Sequence, residues 1–270
     1  MIDVLILNRN LGEVCDSLVA DLSDRLSPQD TLTVIDSGSD SSLKSRHTTI
    51  HVADKETREH GLRFSRGMNV GLQYRRQNGL QNPWVLMLPV DSEIINWELL
   101  DLLELASRYE KLVAIKPIDI SSGYANDLAE GSLKLAWNVE EGPWLVRDSF
   151  IEEQIGMNPR GDFFDHENFR GYLTSLDLSF RALANDHCIG ITNCLTFHEN
   201  ESYLLERADL IKTEALDLHT QLMISEGTNW LRQKYGIDDA WSFAQIVRLL
   251  HAQFIQENPE YEDVSGGVFL

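Results

Sequence analysis

The sequence has few cysteines, no long hydrophobic run and no leader-like start. Its three cysteines, Cys15, Cys188 and Cys194, are too few and too scattered for a disulfide framework or a zinc cluster. No apolar run reaches the roughly 20 residues that a membrane-spanning helix needs. The segment from Met1 to Val4 leads directly into a predicted strand and shows no signal-peptide pattern. These absences predict a cytoplasmic protein with reduced thiols and no membrane span.

Basic residues are also scarce: 23 Lys and Arg stand against 43 Asp and Glu, which gives a net charge of −20 at pH 7. This charge argues against nucleic acid and anionic membrane surfaces as partners. A few local basic groups or a cation could still bind an anion, because surface charges are screened beyond about 8–10 Å at physiological salt. With 43% hydrophobic residues over 270 positions, the chain fits one large α/β domain or a domain with a helical appendage.

Strand-like and helical segments alternate up to about residue 120, which predicts a mostly parallel, doubly wound sheet. The short strand-like runs are rich in β-branched and apolar residues, and the longer segments have helical periodicity. The predicted strands are Val4–Leu7, Leu32–Ile35, Thr49–Val52, Trp84–Leu88 and Leu112–Ile115. The predicted helices are Val14–Leu26, Ser65–Asn78 and Trp97–Tyr109.

The pattern changes after residue 120. Leu133–Val139 and Pro143–Val146 alternate like an antiparallel pair, a helix is predicted at Leu173–Ala184, and Cys188–Phe197 is rich in β-formers. From Tyr203 onward the sequence is helical almost throughout. The prediction is therefore a sheet domain at 1–202 followed by a helical C-terminal extension at 203–270, and self-association through that extension is left open.

Two of the strand-like runs end at an acidic residue. The apolar run from Val85 to Val90 stops at Asp91, and the run from Thr31 to Ile35 stops at Asp36, just before a Ser/Gly/Asp turn. Open α/β sheets bind ligands at the carboxyl ends of their strands. Two acids in such places predict a crevice for a nucleotide and for the metal that neutralises its phosphates.

The order of these pieces resembles the family 2 glycosyltransferases, which have the GT-A fold. Each matching piece is short, and the resemblance rests on their order over about the first two hundred residues. It implies a GT-A-type, Rossmann-like sheet that is mostly parallel with a short antiparallel part, followed by the helical extension. The matching segments are Val4–Asn10, Val34–Asp40, Arg66–Gly71, Leu88–Asp91, Trp144–Arg147, Gly156–Met157, Phe163–Phe164, Asp177–Arg181 and Phe197–Glu199.

The resemblance implies an inverting, metal-assisted glycosyltransferase of polysaccharide or glycoconjugate synthesis. Its donor would be a nucleotide-diphosphate sugar, a UDP-sugar by family habit, and its acceptor a saccharide or glycoconjugate. Asp36 would contact the nucleoside, and Asp91 with His198 would hold a divalent cation, Mn²⁺ or Mg²⁺. For each residue a structural role is the alternative: Asp36 as a turn cap, Asp91 as a helix N-cap or turn residue, and His198 as a structural histidine.

The same resemblance adds Asn8, Arg66 and Asn69 to the donor site. Arg66 and Asn69 lie in the first turns of a predicted helix, where the helix N-terminus favours phosphate and arginine offers paired donors. Structural capping explains Asn69 equally well. Trp137 and Trp144 are candidates for stacking on a sugar, although large aromatic residues more often fill a core.

The general base is where the sequence departs from the family. An inverting transfer needs a carboxylate that takes the proton of the acceptor hydroxyl. The family's acidic pair corresponds here to Thr174 and Ser175, which cannot do this. The remaining candidates are Asp165, Glu167 and Asp177, and Asp177 could instead form an i,i+4 pair with Arg181.

The metal motif departs from the family as well, because Pro89 stands where the first acidic residue of the usual DxD motif would be. The two departures support a second hypothesis, in which a catalytically impaired GT-A-like domain serves as a binding or scaffold module. Other chemistries have little support, since the sequence has no P-loop, no GxGxxG after a strand and no GxSxG elbow.

Overall fold

A computed structural model of the chain describes residues 1–121, 128–129, 131–200 and 216–265. The strands in these ranges are β1 (Ile2–Asn8), β2 (Thr31–Ser37), β3 (Thr48–Val52), β4 (Trp84–Pro89), β5 (Ser92–Trp97), β6 (Leu112–Asp119), β7 (Leu133–Ala136), β8 (Trp144–Arg147) and β9 (Cys188–Glu199). The helices are α1 (Gly12–Arg25), α2 (Lys55–His60), α3 (Arg63–Gln77), α4 (Leu99–Ser107), α5 (Asp148–Met157), α6 (Thr174–Ala184), α7 (Leu216–Tyr235), α8 (Ala240–Glu257) and α9 (Glu262–Ser265), with a 3-10 turn at Pro259–Tyr261.

The strands form a nine-stranded sheet in the order β3-β2-β1-β4-β8-β6-β9-β5, with β7 paired to β9. Strand β1 is parallel to β2 and β4, β2 is parallel to β3, and β6 is parallel to β9. The pair β7–β9 is antiparallel. The prediction of an α/β fold with a mostly parallel sheet and a short antiparallel part is confirmed.

The partner of that antiparallel part differs from the prediction. The expected pairing of Leu133–Val139 with Pro143–Val146 is wrong, because β7 pairs with β9, placing Leu133 opposite Thr192, and β8 comes between β4 and β6 in the strand order. Alternation of apolar and polar residues shows which side chains face the core. It does not show which strand lies next to which.

The described chain divides into two compact units. The first consists of Met1–Glu93, Val146–Tyr172 and the described part of Glu199–Gly227, and the second of Ile94–Leu145, Leu173–His198 and the described part of Thr228–Leu270. The predicted boundary at 202/203 lies outside the described residues. None of the helices in the described ranges has the length and apolarity needed to cross a membrane.

In the first unit, two glycines allow α3 to pack closely on the sheet. A Cβ on Gly67 would overlap the side chain of Leu7 in β1, and one on Gly71 would lie 2.8 Å from Cδ1 of Ile35 in β2. Real Cβ atoms essentially never come this close to a neighbour, so a larger residue at either position would force the Leu7 or Ile35 side chain, or the helix, to move. The close contact brings the amino end of α3 to the carboxyl edge of these strands.

In the second unit, α6 packs against α8 through an aromatic cluster. The ring of Tyr235 lies 4.9 Å from that of Phe180 and 5.0 Å from that of Phe243, measured between centroids. Phe243 is fully buried. Aromatic contacts at such distances stabilise beyond the area they bury, and they hold the end of α7 against these two helices.

Candidate functional site

Three parallel strands of the first unit end at one edge of the sheet. The β1–β2 register places Asn8 beside Asp36, and the β1–β4 register places Leu7 beside Pro89. Asp91 follows two residues after Pro89. The two acids that the sequence singled out therefore follow strands that end at the same carboxyl edge, where ligands of open α/β sheets bind.

The Asp36 carboxylate is fully buried and surrounded by hydrogen-bonding groups. Its Oδ1 accepts from the Ser39 backbone N–H at 3.1 Å and lies 2.8 Å from Nδ1 of His51, and its Oδ2 accepts from Nδ2 of Asn8 at 3.3 Å. His51 is reached because it lies opposite Asp36 in the β2–β3 pair. The turn-capping contact is thus present, and the donor contacts of Asn8 and Asp36 stay predictions.

Asp91 lies in the short turn between β4 and β5 and is 4% exposed. Its backbone carbonyl accepts from the Asn200 N–H at 3.2 Å. The residues after it form β5, so the alternative of a helix N-cap is wrong, whereas the alternative of a turn residue agrees with the structure. Its metal role stays a prediction.

His198, the predicted second metal ligand, lies near the end of β9 in the second unit. Its Nδ1 is 3.8 Å from Oδ1 of Asp119, at the end of the neighbouring strand β6. Asp119 is itself fixed, because its Oδ1 accepts from the backbone N–H and the hydroxyl of Ser121 at 2.8 and 2.9 Å. Asp119 was missed by the sequence reasoning, since only the β6–β9 pairing brings it to the histidine.

The metal-ligating side chains of the described residues suit one type of metal site. Across the described part of the chain, no group of three or more His, Cys, Asp and Glu side chains gathers closely enough to hold an ion. A dedicated cage of protein ligands is therefore not formed by these residues. A single strand-end carboxylate such as Asp91 fits a hard divalent cation that shares its remaining ligands with phosphates and water.

The amino-terminal half of α3 fixes the segment around Phe164. Nδ2 of Asn69 donates to the Phe164 carbonyl and its Oδ1 accepts from the Phe164 N–H, both at 2.9 Å. Nε and Nη2 of Arg66 both donate to the His166 carbonyl at 3.2 Å, and its Nη1 lies 3.1 Å from Oε1 of Glu56. Both predicted donor residues thus make structural contacts, and their donor roles stay predictions.

Asp177, one of the three predicted bases, is tied into the interior of the second unit. It is 2% exposed, and its carboxylate accepts from Arg181 Nε at 2.8 Å, Lys234 Nζ at 2.9 Å and the Tyr235 hydroxyl at 2.6 Å. Burial acts to raise the pKa of Asp177, but Arg181 and Lys234 outweigh burial, so its pKa is lowered. The i,i+4 pair with Arg181 is present, and a lowered pKa makes a weaker base.

The other two predicted bases lie in the segment between α5 and α6. Oδ1 of Asp165 accepts from the Glu167 N–H at 3.0 Å. The Glu167 carboxylate is 63% exposed and lies 2.5 Å from Nη2 of Arg160. Glu167 is thus exposed and Asp165 is half-buried, and their roles as bases stay predictions.

A carboxylate that the sequence reasoning missed lies at the start of α6. The Ser175 backbone N–H donates to Oε1 of Glu141 at 2.9 Å. Thr174 and Ser175 are the positions where the resembling family has its acidic pair. An acid is therefore present there, supplied by the turn between β7 and β8, and no local sequence signal connects the two segments.

A cavity of about 150 Å³ opens at the carboxyl edge of β1, β2 and β4. Arg9 lies in its wall and is almost fully buried, and its guanidinium donates to the carbonyls of Ser37, Thr57 and Arg58 at 2.6, 2.7 and 2.8 Å. The basic wall was missed by the sequence reasoning. The lining residues are Leu7, Arg9, Ser37, Arg63, Phe64, Pro89, Val90 and Arg170.

Comparison with known proteins identifies the fold. No family model and no curated sequence matches the chain. Among solved structures, GalNAc-T7 with UDP, GalNAc and Mn²⁺ superposes with a TM-score of 0.57 at 12% identity, over 95% of this chain and 56% of that one. TarS residues 1–349 of S. aureus gives 0.51 at 11% identity, over 86% and 73%.

These likenesses place the chain in a structural class. The chain has the GT-A fold of the nucleotide-diphospho-sugar transferases, as the sequence resemblance implied. It spans 56% of the GalNAc-T7 chain, so that protein is considerably longer.

Proposed function

We propose that the protein is a glycosyltransferase, similar to family 2, that transfers a sugar from a nucleotide-diphosphate donor to a saccharide or glycoconjugate acceptor with inversion. The observation that carries this proposal is the carboxyl edge of the first unit, where Asp36 and Asp91 follow parallel strands beside an arginine-lined cavity. GalNAc-T7, which shares the fold, was solved with UDP, GalNAc and Mn²⁺, and this supports a UDP-sugar and a divalent cation here.

The proposed donor site begins with the nucleoside. Asn8 and Asp36 are joined by a hydrogen bond of 3.3 Å at the ends of adjacent strands, and we assign the nucleoside to the surface that they support. Arg66 would add positive charge near the diphosphate from the start of α3. Asn69, whose amide is engaged with Phe164, would shape this part of the site by holding that segment in place.

The proposed metal ligands are Asp91 and His198. When bound, Mn²⁺ or Mg²⁺ would neutralise the negative charge that develops on the leaving diphosphate. Asp91 offers the carboxylate that such cations prefer. His198 would supply an imidazole nitrogen, and the Asp119 carboxylate, 3.8 Å from its Nδ1, would add negative charge beside the ring without a hydrogen bond to it.

The proton of the acceptor hydroxyl must be taken by a carboxylate, and we propose Glu141, Asp165 and Glu167 as the candidates. Asp177 is assigned to positioning α6, because its three hydrogen bonds to Arg181, Lys234 and Tyr235 occupy a buried carboxylate. From the sequence we further propose that the protein acts in the cytoplasm and takes part in polysaccharide or glycoconjugate synthesis.

The first experiment is thermal unfolding of the purified chain with UDP, GDP, dTDP or CDP, each with and without Mn²⁺. A ligand at about 100 times its dissociation constant stabilises the folded state by roughly 2.7 kcal/mol. We expect UDP to raise the unfolding temperature when Mn²⁺ is present. This increase should be lost in Asp91→Ala and kept in Asp21→Ala, which removes an exposed acid on α1. No shift with any nucleotide would overturn the donor site and favour the scaffold hypothesis.

A further inference from the structure

One helix of the second unit exposes two large hydrophobic side chains. Among the described residues, Leu100, Trp241 and Leu249 are the most exposed side chains of this type, at 79%, 72% and 70%. Trp241 and Leu249 both belong to α8. A single exposed leucine such as Leu100 is ordinary on a protein surface, whereas a tryptophan and a leucine on the same helix form a patch that is typical of an interaction site.

Helix α8 has an inner and an outer face. Its inner face packs into the core through Phe243, Val247, His251 and Phe254, which are buried. The opposite stripe follows the spacing i, i+4, i+7, i+8 and i+11, so its members share one side of the helix. We name this stripe the outer face of α8, and it consists of Trp241, Gln245, Arg248, Leu249 and Ala252.

The outer face carries no acid, although the chain has a net charge of −20. The only acidic residue of α8 is Glu257, at its last position. A basic partner would find no carboxylate on this face, and a nucleic acid or an anionic membrane would find only one arginine. Interface cores between proteins are depleted in Asp, Glu and Lys and enriched in aromatic residues and arginine, as the outer face is.

Charge therefore favours a second copy of the chain as the partner. Two chains that each carry a net charge of −20 repel one another. They can come into close contact only where acids are absent, and the outer face of α8 meets this condition. It also supplies the apolar area that such a contact buries, from Trp241 and Leu249.

The shape of the outer face is complementary to itself. Bulky Trp241 lies near one end and small Ala252 lies eleven positions further on, about 16 Å along the helix axis. If two copies of α8 cross antiparallel about a twofold axis, each Trp241 comes to lie over the partner's Ala252, and Leu249 lies close to the axis. Such an isologous contact closes the assembly at two chains.

Arg248 is compatible with a place in this contact. Its guanidinium carbon lies 4.4 Å from the centroid of the Trp137 ring in the same unit, which is a cation–π distance. The charge is therefore stabilised within its own chain and does not require a carboxylate from the partner. The methylene groups of its side chain can still add apolar area.

The size of the outer face limits the strength of the contact. An α-helix of 18 residues is about 27 Å long and about 10 Å across. A contact confined to one such helix stays below the ~800 Å² per partner of a standard stable interface. Association should therefore be weak and dependent on concentration, with a dissociation constant of about 1–100 µM.

We propose that the outer face of α8 binds the same face of a second copy of the chain and forms a weak, twofold-symmetric homodimer. This contact needs neither a nucleotide nor a metal. It therefore stands or fails independently of the proposed glycosyl transfer.

The test is sedimentation velocity of the full chain over about 1–300 µM, a range that brackets the expected dissociation constant. We expect the mean mass to rise with concentration from that of one chain towards that of two. Trp241→Ala and Leu249→Ala should each weaken dimerisation about tenfold or more, because buried aromatic and aliphatic anchors dominate interface energies. Leu100→Ala, which truncates an equally exposed leucine on α4, is the matched control and should dimerise as the wild type does.

A second pair of variants tests the role of charge. Ala252→Glu adds an acid to the outer face and should abolish the dimer, whereas Leu100→Glu makes the same change of charge elsewhere and should preserve it. Raising the salt concentration should strengthen wild-type association, because it screens the repulsion between two acidic chains. Weaker association at high salt would indicate a contact made by ion pairs and would overturn the proposal.

The substituted residues are exposed, so all variants should unfold at the wild-type temperature, which circular dichroism checks. A wild type that stays monomeric over the whole range, or a dimer that persists unchanged in Trp241→Ala and Leu249→Ala, would overturn the proposal. A monomeric chain whose tryptophan fluorescence changes on addition of dextran, but not in Trp241→Ala, would also overturn it, because the outer face would then bind a saccharide.

Discussion

Asn69 binds the backbone of Phe164 through both atoms of its side-chain amide, with the donated and the accepted hydrogen bond each 2.9 Å long. The side-chain amide thus satisfies both backbone polar groups of Phe164, as a neighbouring β-strand would, although Phe164 lies in an irregular segment. Since that segment leads on to His166 and Phe169, which contact arginines of α3, the pair connects the helix to the surroundings of the candidate site.

The first prediction concerns this pair. Asn69→Ala should lower the free energy of unfolding by about 2–3 kcal/mol, because two hydrogen bonds are lost and the Phe164 N–H and C=O lose their partner. Urea unfolding monitored by circular dichroism measures this change. Asn78→Ala, which removes one exposed hydrogen bond at the end of α3, is the control and should cost less than about 1 kcal/mol. Unchanged stability with lost UDP binding would instead support the donor contact predicted for Asn69.

The second prediction concerns a buried ion-pair network at the opposite end of β1. Arg75 is 1% exposed and pairs with Asp3 and Asp148, and Asn82 donates to the Asp3 carboxylate at 2.9 Å. Arg75→Met should destabilise the protein by about 3–5 kcal/mol, because the buried Asp3 charge loses its partner.

The double variant Asp3→Asn with Arg75→Met is the control for that interpretation. It removes the uncompensated charge and should recover part of the lost stability in the same urea titration. Additive effects of the two substitutions would contradict the assigned pairing.

The third prediction is a loss of stability in mild acid that comes from His251. This residue of α8 is 2% exposed, neither ring nitrogen has a hydrogen-bond partner among the described residues, and burial lowers its pKa from 6.5 to about 4. As the pH falls below 6.5, the unfolded chain takes up a proton that folded His251 rejects. The free energy of unfolding should therefore fall between pH 6.5 and 4, by about 3 kcal/mol in total.

Comparison of variants separates this effect from the titration of acids. Asp177, whose pKa is lowered, should cost stability only below the ordinary carboxylate pKa of 3.8. His251→Phe should flatten the stability curve between pH 6.5 and 4.5 relative to the wild type. A curve for His251→Phe that is parallel to that of the wild type would refute the prediction.

The fourth prediction separates two roles of Glu141. Its Oε1 accepts from the Ser175 N–H at the start of α6, which a glutamine can also do. If Glu141 is the general base, Glu141→Gln should keep stability within about 0.5 kcal/mol and lower turnover by at least about 100-fold. Glu141→Ala should lower both. Wild-type turnover in the glutamine variant would show that Glu141 only caps α6. The general base would then be Asp165 or Glu167, which Asp165→Asn and Glu167→Gln test in turn.

Parts of the fold could be predicted because they depend on local pattern. The apolar runs before Asp36 and Asp91, with turn-forming residues after them, indicate where two strands end, and parallel topology then places those ends on one edge. The pairing of β7 with β9 could not be predicted, because residues 133 and 192 are far apart in sequence and alternation carries no information about the partner strand.

The candidate site shows the same division. Its residue types at strand ends could be selected from the sequence, but their contacts could not: Asp177 binds Lys234 on another helix, and Glu141 reaches Ser175 across more than thirty residues. Likewise Arg63 and Arg66 are visible at a helix start, while Phe169 and Arg170 carry no signal that they lie beside them.

The sequence by itself determined the class of fold and the edge at which chemistry is expected, because periodicity, turn residues and strand-end acids act over a few neighbouring positions. Only the tertiary structure decided which carboxylates are accessible, which pair with arginine and lysine side chains, and where arginines come together in an acidic protein. These properties depend on burial and on distances between remote segments, which are set when helices such as α3 pack on the sheet.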